Sequence, residues 1–344
     1  MVLGEHKVEE AENTGRRRFL TDLARWTGAA ALSGSVGSLL TGCAGGSNTS
    51  VPFQDTPGSF TFAVIGDPHV GARDSAAFCS AGSKAIKLLI NAVSDINARG
   101  VDFTIVLGDI ADQGEPAQLL RAKTILDGLQ SPYIPIAGNH DTIMGDDFAA
   151  FKQTFSAPEL NYSWDYRGFH FTTANCSNGT YVYPLVRWPH ETLEWIKWDL
   201  QQHPGQPTFF ICHHNLWPYD QRQTVTEPWW YQVPAGGDEL RDILEQSGTV
   251  FMSLSGHIHS FRYCYTTMAY ATVGCPPVYP SQIMYYHVHP DRVEAEAVTL
   301  SNKGLVDYAA ALASAEMRPL IDGALGNKQY TVPVFPQPPS SLLI

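Results

Sequence analysis

The sequence predicts an α/β fold in which two mixed β-sheets pack together and helices cover their outer faces. Strand-like and helix-like segments alternate in the first half of the chain, whereas the second half is rich in strands. At 344 residues, 44% of them hydrophobic, the chain is long enough to bury a substantial core. These observations favour a single large α/β domain.

The first half contains three strand patterns that each stop at a glycine. "SFTFAVIGD", "VDFTIVLGD" and "YIPIAGNHD" are apolar runs that end in turn residues. A helix is predicted over 83–98, with Gly100 as its stop, and a second helix begins near Pro116 and continues to about Gln130. The order strand, helix, strand, helix, strand indicates parallel strands joined by helices.

The second half begins with a predicted hairpin that turns at Arg167-Gly168. A helix over about 190–202, the strand "PTFFICHH" and a helix over about 238–247 follow. The last strand patterns, "TVFMSL", "FRYCYTT", "QIMYYHVH" and "RVEAEAVTL", predict a largely antiparallel sheet.

Four segments are distinguished by their composition. Segments rich in small, polar or proline residues precede and follow a single predicted domain. No internal repeat is visible. The predicted organisation is a signal segment, a flexible tether, a folded domain and a C-terminal surface tail, over residues 1–42, 43–57, 58–312 and 313–344 respectively.

The N-terminal segment resembles a twin-arginine export signal that ends in a lipobox. "RRRFL" at residues 16–20 is followed by a run without charged residues from Trp26 to Gly42. "LLTGC" then places Cys43 where lipid would be attached after cleavage. We therefore expect export by the twin-arginine route and anchoring of a lipoprotein in the membrane of the cell envelope, the alternative being an incidental cysteine in a flexible tail.

Charge and cysteine content exclude some classes of function. The formal net charge is −12, which argues against binding of a nucleic-acid polymer. The chain has 6 cysteines and no Cys-x-x-Cys spacing, so a thiolate metal site is not expected. Outside the cytoplasm one disulfide is possible, and Cys264 and Cys275 are the pair closest in sequence.

Polar residues follow five of the strand patterns, in "GDPHVG", "LGDIAD", "GNHD", "CHHN" and "GHIH". Each motif alone is weak, because such residues are common in turns. A second alternating pair, His287 and His289, is typical of an ordinary strand face. Together, however, the five motifs supply the oxygen and nitrogen donors that bind first-row divalent metals. The candidate ligands are Asp67, His69, Asp109, Asn139, His213, His257 and His259.

This ordered series of motifs resembles that of the calcineurin-like metallophosphoesterase family, over residues 60 to about 300. "GDIADQGEPAQ" and its spacing to "GNHD" are most similar to the branch that contains bacterial class III cyclic nucleotide phosphodiesterases. The resemblance implies a four-layer αββα sandwich with two divalent metal ions, Mn, Fe or Zn, at the strand ends.

The resemblance also implies a role for each matching residue. One metal would be held by Asp67, His69, Asp109 and His259, and the other by Asp109, Asn139, His213 and His257. Asp109 would bridge the ions, between which a water would become a hydroxide nucleophile. His140 would protonate the leaving oxygen as a general acid, with Asp141 orienting its ring.

The sequence departs from the family pattern in three places. "CHHNLWP" lacks the usual proline after the histidine, and we prefer His213 to His214 as the ligand because it matches the ligand position. Asp112 occupies the position of a metal-binding tyrosine in purple acid phosphatases. The aromatic stretch 215–234 is either a lid that stacks on a leaving group or a cover over a hydrophobic edge.

The predicted function is hydrolysis of a small phosphodiester substrate, with no obligate protein partner. The alternatives are a phosphomonoesterase or nucleotidase, or a non-catalytic lipoprotein that binds metal or a partner. The remaining histidines His170, His190 and His203 are predicted to be surface or packing residues.

Overall fold

The computed structural model describes most of the predicted domain. The described residues are 58–76, 79–143, 146–157, 159–176, 186–218, 233–315, 318 and 329–334. The predicted signal segment, the tether with Cys43, and most of the aromatic stretch and of the C-terminal tail lie outside these ranges. Within the described part of the chain, every helix is too short or too polar to cross a lipid bilayer.

The regular elements alternate along the chain. The strands are β1 (Phe60–Ile65), β2 (Asp74–Ser75), β3 (Ser80–Ala81), β4 (Phe103–Leu107), β5 (Tyr133–Ile136), β6 (Tyr162–Tyr166), β7 (Phe169–Ala174), β8 (Thr208–Cys212), β9 (Val250–Ser255), β10 (Arg262–Tyr265), β11 (Ala269–Thr272), β12 (Gln282–Val288), β13 (Arg292–Thr299) and β14 (Gln329–Pro333). The helices are α1 (Ala85–Arg99), α2 (Pro116–Leu126), α3 (Ala149–Phe155), α4 (His190–Gln202), α5 (Gly237–Ser247) and α6 (Lys303–Leu312).

The first sheet has the strand order β14-β13-β12-β1-β4-β5. Strands β1, β4 and β5 are parallel, as the alternation of strands and helices predicts. Strand β12 pairs with β1 in the antiparallel direction, with Met284 opposite Val64. The sheet is therefore mixed, and β1 lies at the change from parallel to antiparallel pairing.

The second sheet has the strand order β10-β11-β9-β8-β7-β6. The hairpin β6/β7 turns at Arg167 and Gly168, both with positive φ, as the sequence predicts. The expectation of a largely antiparallel sheet in the second half is confirmed only in part, because β10 pairs with β11 and β12 with β13 in the antiparallel direction, but these pairs belong to different sheets. Strand β9 runs parallel to β8 and β11, and the two long strands β12 and β13 join the first sheet instead.

Three hydrophobic clusters separate four layers and confirm the predicted sandwich. The cluster between the sheets includes Phe62 and Phe209, whose ring centroids are 5.5 Å apart in an edge-to-face contact. Helices α1 and α2 pack on the outer face of the first sheet, and α4 and α5 pack on that of the second. Burial of each large side chain contributes about 1.5–3 kcal/mol, which holds the two sheets in a fixed relation.

The edges of the domain differ from the sequence expectation. Strand β14 pairs with β13, with Val332 opposite Val293, although residues 313–344 were predicted to form a surface tail. Regular structure therefore extends beyond residue 312. Helix α3 and strand β11 were also not predicted, because each is short and lacks a clear period.

Candidate metal centre

The candidate ligands meet at one edge of the sandwich. Asp67, Asp109, Asn139, His213 and His257 follow the carboxyl ends of β1, β4, β5, β8 and β9. Carboxyl ends of parallel strands lie on the same edge of a sheet, so each sheet gathers its own ligands there. The two sheets then bring the two sets together, and the backbone N–H of His257 donates to Asp67 Oδ1 at 2.9 Å.

Left-handed backbone turns present these side chains to the edge. Asp67, His69, Asp109, His257 and His259 all have positive φ, between 44° and 69°. Such a conformation is uncommon for residues other than glycine, although Asp and His adopt it more readily than most. The chain turns sharply at the strand ends, so the side chains point into the gap between the sheets rather than along them.

The first ligand group consists of Asp67, His69, Asp109 and His259, whose ligand atoms all lie within 4.8 Å of one another. The Nε2 atoms of His69 and His259 are 3.0 Å apart. His69 Nε2 lies 3.6 Å from Asp109 Oδ2, and His259 Nε2 lies 3.8 Å from Asp67 Oδ1. Four donors of two chemical types thus converge on one point.

The second ligand group consists of Asp109, His213 and His257, whose ligand atoms also lie within 4.8 Å of one another. His213 Nε2 lies 3.3 Å from Asp109 Oδ2 and 3.0 Å from Asn139 Oδ1. The Nδ1–H of His213 can donate to the carbonyl oxygen of Leu107 at 2.7 Å, which leaves Nε2 with a lone pair for an ion. Asp109 Oδ2 therefore faces both groups.

Divalent metal ions fit these two groups of residues. Two nitrogen ligands about 2.1 Å from one ion and at right angles to each other are about 3 Å apart, close to the separation of His69 Nε2 and His259 Nε2. Asp67 is fully buried, and its Oδ2 has no hydrogen-bond partner within the described structure. A buried carboxylate oxygen without a donor is costly unless a cation satisfies it.

The electrostatics of the centre lead to the same conclusion. Burial raises the pKa of Asp67 well above its usual value, and the nearby charge of Asp109 adds to this effect. Burial alone would lower the pKa of His213, but the carboxylates of Asp109 and Asp67 raise it to about 9. Two buried carboxylates this close together repel each other, so their ionised forms need a positive charge between them.

His140 lies beside the first ligand group, and the carboxylate of the following residue, Asp141, binds the backbone. The Nδ1 of His140 lies 2.7 Å from the carbonyl oxygen of Asp112. The two oxygens of Asp141 accept backbone N–H groups of Ala111 and Gly138, at 2.8 and 2.9 Å. This buried carboxylate therefore ties the ends of β4 and β5 together, and its orienting role toward His140 stays a prediction.

Asp112 has contacts that sequence reasoning missed. Its carboxylate Oδ1 lies 3.4 Å from His69 Nδ1, on the side of the ring opposite the ligand atom Nε2. A carboxylate in this position fixes the orientation of a ligating histidine. The sequence showed only that no tyrosine stands here, because the backbone path that brings residue 112 to His69 is not encoded in the motif spacing.

His214 and Trp217, which follow the candidate ligand His213 in the sequence, make contacts of a different kind. His213 belongs to a ligand group, whereas the Nδ1 of His214 lies 3.1 Å from Cys176 Sγ. In the aromatic stretch, Trp217 is buried and stacks on Tyr270 with ring centroids 4.5 Å apart, as a packing residue would. The rest of that stretch, residues 219–232, lies outside the described ranges.

The cysteines and the other histidines contribute to structure elsewhere. The five described cysteines are free thiols, and Cys275 packs in a small cluster with Cys79, not with Cys264. His287 contacts Thr61 Oγ1 at 3.1 Å on the strand face where the sequence placed it. His170 is a buried residue that pairs with two carboxylates, which the sequence gave no reason to expect.

The chain belongs to the calcineurin-like phosphoesterase family, whose sequence model matches residues 60–261, more than half of the chain. This confirms the resemblance carried by the five motifs. The family uses divalent metals, and the described structure supplies a matching cluster of histidines and aspartates.

Three curated relatives are each 25% identical to the chain. They are the uncharacterized protein YvnB of Bacillus subtilis over 164 residues, a 3',5'-cyclic-nucleotide phosphodiesterase of Nostoc sp. over 160 residues, and the glycerophosphodiester phosphodiesterase GpdQ of Enterobacter lignolyticus over 195 residues. The matches cover 45%, 46% and 54% of this chain and 12%, 56% and 65% of the relatives, less than two thirds of each.

The fold is also similar to that of solved structures. A dimetal phosphatase from Danio rerio superposes with a TM-score of 0.56 at 14% identity, covering 69% of this chain and 95% of that one. The purple acid phosphatase PPD1 from yellow lupin superposes with a TM-score of 0.53 at 14% identity, covering 73% and 53% of the two chains. At this level of identity the similarity concerns the fold.

Proposed function

We propose that the protein is a metal-dependent phosphodiesterase that hydrolyses small phosphodiesters at the strand-end centre. The observation that carries this proposal is the position of Asp109, whose Oδ2 faces His69 Nε2 at 3.6 Å and His213 Nε2 at 3.3 Å. A single carboxylate oxygen shared by two convergent ligand groups is the arrangement that a two-metal hydrolase requires.

The ligand assignment follows from the two groups. One ion would be held by Asp67, His69, Asp109 and His259, and the other by Asp109, Asn139, His213 and His257. Two divalent ions, when bound, supply the charge that makes a water nucleophilic near neutral pH and that offsets the charge of the phosphate. Asn139 Oδ1 lies 3.0 Å from His213 Nε2, so the two ligand atoms face the same position, where an ion would bind both.

His140 is the residue assigned to proton transfer. Its ring packs edge-to-face on the ring of His69, with centroids 4.9 Å apart, so it lies next to the centre without joining either four-residue ligand set. The Asp112 carbonyl can accept a hydrogen bond from Nδ1–H, so Nε2 is the nitrogen that would donate a proton to the leaving oxygen when the ring is doubly protonated. The ring position suits a general acid.

The preference for diesters rests on the names of two relatives. One is named as a cyclic-nucleotide phosphodiesterase and the other as a glycerophosphodiester phosphodiesterase. Both act on a phosphate with two ester bonds, and the motif "GDIADQGEPAQ" led to the same branch. These matches span about half of the chain, so they support the reaction class more than a particular substrate.

Matched nitrophenyl esters test this proposal. The purified protein, loaded in turn with Mn²⁺, Zn²⁺ and Fe²⁺, is assayed on bis(p-nitrophenyl) phosphate and on p-nitrophenyl phosphate. We expect faster turnover of the diester, and its loss on addition of a chelator. Faster turnover of the monoester would indicate a phosphomonoesterase or nucleotidase, and no turnover with any metal would indicate a binding protein.

We also propose that the chain is exported and anchored by lipid at Cys43. The arginines at 16 and 17 and the motif "LLTGC" support this proposal. Acyl chains anchor a protein through buried methylenes, at about 0.8 kcal/mol for each. The double substitution Arg16→Lys and Arg17→Lys should leave uncleaved precursor in the cytoplasm. Cys43→Ala should abolish incorporation of labelled fatty acid, and persistent labelling of that variant would overturn the lipid assignment.

A further inference from the structure

His214 lies between two of the candidate ligands without being one of them. Its ring is tilted by 39° on the ring of His257, with centroids 4.3 Å apart, and it meets the ring of His213 edge-to-face at 5.0 Å. The side chain is buried, with 3% of its surface exposed. Its ring therefore fills the space behind both ligand rings of the second group.

Two cysteines hold His214 in this position. Its Nδ1 lies 3.1 Å from the Sγ of Cys176, and the thiol of Cys212 donates to its carbonyl oxygen at 3.0 Å. Both cysteines are buried, and burial raises the pKa of each thiol above its usual value, so they are neutral partners. Cys176 follows strand β7, which neighbours β8, whereas His214 follows β8. The contact therefore links the His214 ring to a different segment of the chain.

The backbone of His257 explains why such support matters. This residue has φ 69° and follows Gly256 in a sharp turn, so no regular strand determines the direction of its side chain. Its backbone N–H is bound to Asp67 Oδ1, which fixes the main chain. The ring of His214, packed on one face of the His257 ring, limits rotation of that side chain.

We propose that His214 is a positioning residue that, held by Cys176, orients the His257 ring and thereby sets metal affinity at the second position only. This inference rests on the proposed two-metal centre. Within the described structure the ring contacts of His214 are to His213 and His257, so the first position, formed by Asp67, His69, Asp109 and His259, should keep its affinity. Loss of partners that orient a metal ligand typically costs 10–100-fold in affinity.

Manganese titration of matched variants tests the proposal. Full-length wild-type protein and the variants His214→Ala, His214→Phe and Cys176→Ala are titrated with Mn²⁺. Binding is followed by calorimetry, and electron paramagnetic resonance distinguishes coupled pairs of ions from single ions. His257→Ala and His259→Ala serve as references for loss of the second and of the first position. His203→Ala is the control, because His203 stacks on His170 away from the centre.

We expect His214→Ala to weaken one of two binding events about 10–100-fold and to give the single-ion spectrum of the His257→Ala reference. Cys176→Ala should weaken the same event less, and His214→Phe should recover part of the loss because it restores a ring. If the wild type binds two ions but His214→Ala weakens both binding events equally, or weakens neither, the role of His214 is overturned. Fewer than two ions in the wild type would instead overturn the proposed two-metal centre.

Discussion

Gly256 packs directly against the carboxylate of Asp67. A Cβ atom at Gly256 would lie 2.8 Å from Asp67 Oδ2 and 2.9 Å from the carbonyl oxygen of Leu107, closer than Cβ atoms normally approach other atoms. The first oxygen is the buried one that lacks a hydrogen-bond partner. Glycine is therefore required here to let a candidate metal ligand reach its position.

Gly256→Ala should reduce metal affinity without unfolding the protein. The added methyl group must displace the Asp67 carboxylate or the strand end behind it, and we expect affinity to fall about 10–100-fold, as for other disturbances of ligand orientation. Dialysis against Mn²⁺ followed by elemental analysis measures the effect. Gly274→Ala is the matched control, because the nearest atoms to its Cβ lie 4.0 Å away. Unchanged affinity in Gly256→Ala would show that the carboxylate is not a ligand.

Asp109→Ala should abolish activity and lower metal content at both positions. Asp109 is the residue shared by the two ligand groups, and its Oδ2 faces both. Loss of a residue that only orients a ligand typically lowers metal affinity or activity about 10–100-fold. Because Asp109 is itself a candidate ligand, we expect a fall in activity larger than this. Metal content and turnover are measured together, with His287→Ala as the control that should change neither. Two full metal positions in Asp109→Ala would contradict the shared role.

His140→Ala should impair alkyl phosphodiesters far more than nitrophenyl diesters, with two metal ions still bound. A general acid contributes about 10²–10⁴-fold, and the contribution is largest when the leaving oxygen is strongly basic. Nitrophenolate leaves without a proton, whereas an alkoxide requires one. Values of kcat/KM for a matched aryl and alkyl pair, in wild type and variant, measure the difference. Equal losses for both substrates would mean that His140 contributes only positive charge to phosphate binding.

The buried His170 pairs with the exposed Asp165 and the buried Asp199 where helix α4 packs on the second sheet. Its Nδ1 lies 2.8 Å from Asp165 Oδ1 and its Nε2 lies 2.9 Å from Asp199 Oδ2, while His203 stacks on its ring at 3.7 Å. Burial alone would lower the pKa of His170, but the two carboxylates outweigh burial and raise it. The pKa of Asp199 is lowered, because hydrogen bonds and the charge of His170 outweigh burial.

The stabilisation from this network should be lost as the pH rises. A histidine with a raised folded pKa stabilises fully below its unfolded value of about 6.5, and the contribution disappears as the pH passes the folded value. Each unit of difference corresponds to about 1.4 kcal/mol. At saturating Mn²⁺, the free energy of unfolding of wild type minus that of His170→Gln should shrink between pH 6.5 and the folded pKa. Parallel pH curves for the two proteins would refute the charged state of His170.

The strand ends were the part of the molecule that the sequence predicted best. In a strand followed by Gly-Asp or Gly-His, the apolar run predicts the strand, and the polar residue after it predicts a functional side chain at the end of that strand. The candidate ligands were chosen in this way, and the helix predicted separately over about 190–202 matches α4, His190–Gln202. The hairpin at Arg167 was equally clear, because its short turn leaves the two strands little choice of register.

The features that were missed depend on contacts between distant segments. Strand β14 is recognised as a strand only by its pairing with β13, from which it is separated by helix α6 and by residues outside the described ranges. Asp112 and Asp141 are the last residues of "LGDIAD" and "GNHD", yet the contacts of their carboxylates are set by how the ends of β4 and β5 turn. His170 was predicted to be a surface or packing residue, and its ion pairs were missed because the carboxylate partners come from a strand and a helix that only folding brings together.

The left-handed turns at the strand ends make metal affinity a property of the whole sandwich. Each such residue outside glycine costs on the order of 1 kcal/mol or more, and the five at this centre are held in place by the sheets behind them. A cavity between the sheets, as in Phe209→Ala, would let these turns relax toward ordinary backbone before the domain unfolds. A search for variants with altered metal preference should therefore recover substitutions at core positions that no ion ever touches.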